Sequence, residues 1–400
     1  MRSLSRAGYR TIVAHGAGRG GHARHSRFAS GRWCHPPING TGREMAEALV
    51  RYLEANPDVR VVIPLGDGET RTLALHEHLL PKGVRPLTPS SETTRTCLDK
   101  LAMCDIASQL GIPQAPYARA DTRSDLFRAA KAVGYPCIVK AANPLRSVMS
   151  EKAVICHSPP ELEQRFSQWP SQTESLLVQR FVAGPRYNIQ VLAQDGAIVA
   201  RLITKTIRTD RPNYTGYTTE SVTVAATPEL DEYTRNLIHR TSYSGYGCLQ
   251  FLINELDGSM SFLELNPRLG AAFAVSSICG VDFPRLGVDL ALGRAVQQTP
   301  DLRYPPGKRI VWTGGDLEGI LKARDAGQIT FGNALKWLWH AAVGFTRADI
   351  HTTWSWSDPW PTARQYAMIL AAVALRAVRG SRSWAAPPDA ARPPLASPAD

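Results

Sequence analysis

The sequence predicts a chain of mixed α/β and α+β class, with a parallel-sheet lobe first, an α+β body next and a mostly helical region last. Three patterns carry this. From Gly42, helical and short apolar segments alternate (43–55, 59–65, 70–80, 84–88), the order that builds parallel sheet. Farther on, apolar runs flank Asp195-Gly196 and Asp257-Gly258, the dipeptides that turn antiparallel hairpins. Beyond 310, helical stretches carry Trp312, Trp337, Trp339, Trp354, Trp356 and Trp360. These set expected boundaries of 1–95 (with 1–40 unassigned), 96–297, 298–379 and a disordered tail over 380–400, which holds five prolines. Trp337 and Trp339 lie too close to share a helix face, so one is expected at an interface or against another domain.

Composition narrows the class. The 400 residues are 44% apolar and 20% charged, as in a soluble globular protein of two or three domains. No apolar run nears the ~20 residues that span a bilayer, and no secretory core opens the chain, so a cytoplasmic location is expected. Seven cysteines without metal or redox spacing read as reduced thiols, with no zinc. The net charge of +11 comes mostly from residues 1–43, which hold eight arginines and no acid. These lie among Gly, Ser and His without periodicity, so the segment reads as a solvated start and not a nucleic-acid face. His15 to Gly21 fits G-x-G-x-x-G, but neither the amphipathic helix nor the later acid of a dinucleotide site follows.

The chemistry concentrates in 247–268. Glu264 and Asn266 alternate with Leu263 and Leu265, so two oxygen-bearing groups share one strand face, with Arg268 just beyond. Hard oxygen ligands beside a cation suit Mg²⁺ carrying a polyphosphate; a solvated strand edge is the plain alternative. Gln250 joins that face only if the turn has odd length, with Gly258 left-handed. Lys140 ends the apolar strand 136–140, where an ammonium needs an anion. Asp99-Lys100 opens a helix with apolar residues at Leu101, Cys104 and Leu110, stopped by Gly111 and Pro113. Asp67 and Glu69, at a strand end, either orient an amine or cap the next helix, and capping is the preferred expectation.

Gln250 followed by Glu264-Leu265-Asn266-Pro267-Arg268 resembles the metal-binding end of an ATP-grasp domain, closest to that of the carbamoyl-phosphate synthetase large chain. The resemblance runs from about Val61 to Gly293, with its elements in the family order. It implies a shortened Rossmann-like lobe, then a two-lobed ATP-grasp domain. It also implies ATP as cosubstrate, with Mg²⁺ (or Mn²⁺) held by Gln250, Glu264 and Asn266. Lys100 and Lys140 would meet phosphate, Ser147 would lie in the loop over it, and Gln179, Phe181 and Val182 would grip the adenine through backbone groups. Lys205 would either meet phosphate or be a charged strand end, and Arg268 and Lys140 would serve catalysis.

Two departures stand out. The family's ribose-binding acid is replaced by Arg186, which has no acceptor; restoring an acid there is expected to tighten ATP binding. The loop 141–152 has no glycine, so Arg146, Ser147 and Ser150 would replace backbone contacts. The loop 209–220, with Arg208, Arg211, Asn213, Tyr214 and Tyr217 in or beside it, is a candidate for substrate contact.

The resemblance implies a ligase that turns a carboxylate into an acyl phosphate for attack by an amine. The alternatives are a carbamoyl-phosphate or carboxylase-type enzyme and a degenerate ATP-binding protein. Expected partners are small carboxylates and amines, without nucleic acid or membrane, with a homodimer as one oligomeric state open to the chain.

Overall fold

The computed structural model describes residues 1–16, 21–143, 145–149, 151–167, 169, 175–213, 215–270, 273, 279–296 and 304–378. The expected tail at 380–400 lies outside them. Contacts divide the chain into two compact units, Met1–Thr206 with Val222–Lys308, and Ile207–Ser221 with Arg309–Asp400.

The first unit begins with two separate parallel strand pairs, Ile12–Gly16 with Gly31–His35 and Val61–Val62 with Arg85–Pro86, where the sequence predicted one parallel sheet. Proline explains the short second pair: Pro64 and Pro86 offer no N–H to a ladder. Helix Arg43–Ala55 packs Leu49 and Leu53 against Leu73, Trp33 and Val62. The basic start is docked and not merely solvated. Helix Arg2–Arg6 buries Leu4, Ser3 Oγ donates to Asp282 Oδ1 at 2.5 Å, and the Tyr9 hydroxyl bonds Asp289.

A four-stranded antiparallel sheet follows, in the order Tyr117–Ala120, Leu176–Arg180, Cys137–Ala141, Val154–Cys156. Helices Arg123–Val133 and Pro159–Phe166 bury one of its faces through Leu126, Ala130, Leu162 and Phe166 against Val139 and Val178. Thr122 and Asp125 form a reciprocal capping box at the first helix. By alternation, Lys140 and Gln179 belong to the opposite face.

The strands Met260–Asn266, Gly245–Ile253, Arg186–Gln194 and Ala197–Thr209 pair antiparallel in that order. Their apolar face (Ile189, Val191, Ile203, Leu249, Phe251, Phe262, Leu265) packs on Met103, Ala107, Leu230, Leu237 and Ile238 from the helices. At Asp195-Gly196 both residues take positive φ (50° and 79°) between the paired Gln194 and Ala197, the two-residue turn the sequence announced.

The Asp257-Gly258 hairpin differs from expectation. Gly258 is left-handed (φ 72°), but pairing ends at Ile253 and Met260, leaving the six residues 254–259, an even loop. Parity is restored by a bulge: Gln250 faces Glu264 while Phe251 faces Phe262, so Leu263 is the extra residue.

The second unit holds helices Thr313–Asp325, Phe331–Arg347 and Trp360–Val378 and the parallel pair Arg309–Val311 with Ile350–His351. Fully buried Asp316 accepts from Arg208 Nε and Nη2 at 2.8 Å each and from Trp337 Nε1 at 3.0 Å. Arg208 and Arg309 both pair with Glu220, itself buried. Trp337 thus turns inward while Trp339 is 67% exposed, beside Phe331, Leu335, Leu338 and Phe345, all exposed on the same helix.

Arg208→Ala leaves two buried carboxylates short of a partner and should lower stability by about 3–5 kcal/mol, read as a fall in the urea midpoint. Arg43→Ala removes only the exposed pair with Glu47 and should leave the curve in place. Equal shifts in the two variants would show that the network does not hold the second unit.

Candidate functional site

Strand parity builds the site. Thr204, Asn188, Gln250 and Glu264 are successive ladder partners across four strands, and Gln190, Cys248 and Asn266 form the next row. Partners opposite one another point to the same face, so Gln250, Glu264 and Asn266 are brought together on the side away from the core.

The amide nitrogens are tied within this face. Gln250 Nε2 donates to Asn188 Oδ1 at 3.0 Å, Asn188 Nδ2 to Thr206 Oγ1 at 3.0 Å, and Asn266 Nδ2 to Glu264 Oε1 at 2.9 Å. With the nitrogens engaged, the carbonyl oxygens of Gln250 and Asn266 stand with the Glu264 carboxylate as donors. Such an all-oxygen set fits a hard divalent cation.

Cations surround the carboxylate. Lys140 ends strand Cys137–Ala141. Lys100 opens helix Lys100–Gln109, capped by Asp99 Oδ1, which accepts the Leu101 and Ala102 N–H groups at 3.0 and 3.2 Å. The Lys100 ammonium donates to Ala141 O at 3.3 Å and its main-chain N–H to Ala142 O at 3.1 Å, so both lysines gather at one strand end.

Burial pushes the Lys140 ammonium below the usual lysine range, Lys100 and Arg186 push it further, and Glu264 only partly compensates. Burial likewise lowers Lys100 against the pull of Glu264 and Asp67. For Glu264 the balance reverses. Burial raises the carboxyl, but Lys100, the Asn266 hydrogen bond, Lys140 and Arg186 together hold it below the ordinary carboxylate range. The site is therefore short of negative charge, the condition in which an anion binds.

Arg268 donates through Nε to Asp67 Oδ1 at 2.5 Å, and this partner keeps its guanidinium charged despite burial. Asp67 therefore does not cap: helix Asp67–Leu75 has Gly66 at its N-cap and no side-chain cap. Arg186 shares the strand face of Asn188 and is among the cations acting on Glu264. Glu174, a candidate partner for it, lies outside the described residues.

Other expected residues are placed differently. Lys205 is the ladder partner of Tyr187 on the face opposite Asn188, and its Nζ pairs with Glu255 at 2.5 Å. It does not join Lys100 and Lys140, because it is one residue out of phase with Thr204. Gln179 has its main chain in the ladder between Tyr117 and Ile138, and the Phe181 N–H donates to Pro136 O at 2.9 Å, so that N–H is engaged within the protein. The Gln179 side chain is only 2% exposed, and its Nε2 has no partner among the described residues.

Ser147 is exposed in the loop 141–152. Val148 and Glu151 exchange N–H bonds there at 2.8 Å around a turn in which Met149 takes positive φ, the role a glycine would ordinarily fill. Pro144, Ser150 and Tyr214 lie outside the described residues. Arg208 serves the ion network of the second unit and is not free for substrate contact.

Asn188, Gln190 and the partner role of Asp67 were missed from sequence. A signal existed for the first two: polar residues alternate with Ile189 and Val191, the mark of a two-faced strand.

The fold has known counterparts. A solved ADP complex of N5-carboxyaminoimidazole ribonucleotide synthetase superposes with a TM-score of 0.62 at 12% identity, covering 86% of this chain and 93% of that one. Biotin carboxylase from Campylobacter jejuni, as a β,γ-ATP complex, gives 0.59 at 16%, covering 77% and 70%. Among curated proteins, acetyl-CoA carboxylase of Dictyostelium discoideum is 27% identical over 224 residues, 52% of this chain and 9% of its own length. The carbamoyl phosphate synthase large chain of Methanothermobacter thermautotrophicus is 26% identical over 257 residues, 62% of this chain and 24% of its own length. The chain thus spans under a quarter of either curated relative.

Residues 99–299, from the cap before Lys100 through the four-stranded sheet, strand Met260–Asn266 and Arg268, match the family model described as carbamoyl-phosphate synthase L chain, ATP binding domain. That segment is half of the 400 residues, and the chain belongs to this ATP-binding family.

Proposed function

We propose that this chain is an ATP- and Mg²⁺-dependent ligase that activates a small carboxylate as its acyl phosphate for attack by an amine, forming a carbon–nitrogen bond. The observation that carries the reading is one sheet face on which Gln250, Glu264 and Asn266 offer oxygens amid the depressed lysines Lys100 and Lys140. Residues 96–297 would form the two-lobed nucleotide domain, preceded by a Rossmann-like lobe (1–95) and followed by a helical region (298–379). No helix of the described residues is long and apolar enough to cross a membrane, and a cytoplasmic location belongs to the same proposal.

Gln250, Glu264 and Asn266 would hold the metal, which when bound offsets charge on the polyphosphate oxygens. Lys100 and Lys140 would donate to phosphate oxygens, with the unpartnered Gln179 amide near the base and the 181–182 segment beside it. A substrate carboxylate oxygen attacks the γ-phosphorus and ADP leaves; the amine then attacks the acyl carbon and phosphate leaves. Arg268, always charged, would stabilise charge moving onto the transferring oxygens. These residues contribute positioning and electrostatics, which is most of what phosphoryl transfer needs.

The test is ADP release from ATP across carboxylate and amine libraries, bicarbonate included. Release that depends on a carboxylate supports the ligase. Nucleotide binding with no release under any combination would make the chain a degenerate ATP-binding protein.

Three expectations follow from the site. Glu264→Gln keeps the strand and loses a charged ligand, so turnover should fall on the order of 10²–10³-fold with an unchanged circular dichroism spectrum; ADP release at the wild-type rate would remove Glu264 from the metal site. Arg186→Glu should weaken ATP binding in calorimetry, reversing the sign expected from sequence, because it sets a second acid toward Glu264 in place of a cation. Tighter binding would return position 186 to a ribose role.

Finally, Lys100 and Lys140 have lowered pKa values, so they begin to lose protons below the usual lysine value of about 10.4. A bound polyphosphate favours the protonated forms. ATP binding should therefore take up protons as pH rises toward that value, and affinity should fall. Calorimetry in buffers of different ionisation enthalpy measures the uptake. Lys140→Met should reduce it; equal uptake in wild type and variant would clear Lys140 of phosphate contact.

A further inference from the structure

Asp67 lies outside the family segment, yet its side chain enters the nucleotide face. An acid in the first turn of a helix ordinarily serves the helix terminus, but helix Asp67–Leu75 has no side-chain cap. Asp67 Oδ1 instead lies 2.5 Å from Arg268 Nε, with side chains only 18% and 21% exposed. Asp67 is also one of the acids that oppose the effect of burial on Lys100. Its neighbour Gly68 lies beside the loop over the site: a Cβ there would sit 4.0 Å from Leu145 Cδ2. One turn of the N-terminal region therefore bonds Arg268, acts on Lys100 through charge and lies beside Leu145 of the 141–152 loop.

We propose that Asp67 is a positioning residue that latches the Arg268 guanidinium through Nε, fixing its orientation for the transferring phosphoryl group while restraining nucleotide affinity. The first effect follows from geometry. An arginine fixed before the reaction stabilises developing charge without reorganising, whereas an untethered one must first be ordered. The second follows from charge. A carboxylate beside an anion site repels the polyphosphate, the more so in a partly buried place where screening is weak. The two effects act in opposite directions on binding and turnover, a pattern that simple loss of structure does not produce.

The inference rests on the nucleotide-site reading of the preceding section. Its test uses the full-length chain and the variants Asp67→Asn, Asp67→Glu and Asp67→Ala. MgADP affinity is measured by calorimetry, kcat and KM for ATP by ADP release, and folding by the thermal midpoint. Asp67→Asn should bind MgADP about 3–10-fold more tightly, since it removes one negative charge from the cluster. Its kcat should fall about 10–100-fold, the scale of a misplaced positioning group. Asp67→Glu should recover part of kcat and return affinity toward wild type.

Wild-type behaviour of Asp67→Asn in both measurements would overturn the proposal. So would weaker binding and slower turnover together with a lowered midpoint in all three variants, the signature of a merely structural acid. Wild-type protein that binds MgADP but releases none from ATP would sink the ligase reading alone. The affinity of Asp67→Asn then decides: tighter binding supports the latch and unchanged or weaker binding overturns it.

Discussion

The structure of the first unit turns on one unbalanced charge cluster: the Glu264 carboxylate, on the candidate metal face, is held below the ordinary carboxylate range by Lys100, the Asn266 hydrogen bond, Lys140 and Arg186. Burying an ion is costly unless partners compensate, and here compensation runs one way. Glu264 is satisfied well beyond its needs, while both lysines remain below their ordinary range. A cluster of this charge suits a polyphosphate, and in the proposed function the oxygen donors on the neighbouring strands would hold its metal.

How that cluster assembles depends on parity. Glu264 and Asn266 could be placed together from sequence because they sit two apart on one strand, and Lys140 because an ammonium on an apolar strand demands an anion. Gln250 was harder. The requirement that it share the face was legible, but the device was not. The even loop at 254–259 would have turned it away, and the extra residue Leu263 turns it back. A bulge at an ordinary leucine has no local sequence mark; the pairing of Phe251 with Phe262, both buried in the core on the far side, is what reveals it. Lys205 failed for the same reason in reverse: its charge suggested phosphate, while its phase put it opposite Tyr187 and beside Glu255.

Contacts distant in sequence account for the remaining differences. Asp67 looked like a helix cap because caps are local, and nothing near it announces Arg268 at a separation of 201 residues. The arginine-rich start looked solvated because Asp282 and Asp289, which tie down Ser3 and Tyr9, arrive some 280 residues later. In the second unit, spacing alone foresaw that Trp337 and Trp339 would part company. The buried Asp316 that claims Trp337 could not be picked out among other helical acids. Periodicity and spacing reported faces and phases well, and reported partners poorly.

The residues of the candidate site are not all held alike. Gln250 and Glu264 lie in mid-strand beside Leu249, Phe251 and Leu265, all but fully buried, so moving either means disturbing the core. Asn266 ends its strand with Arg268 just past it, Lys140 is the last residue but one of its strand, Lys100 starts a helix and Arg186 starts a strand. Boundary residues move at less cost than residues in mid-ladder. In the proposed function Gln250 and Glu264 would be fixed by packing while the cations settle on the phosphates. Arg268 is also tied to Asp67, which lies outside the family segment, so under the same proposal the N-terminal region would bear on the chemistry.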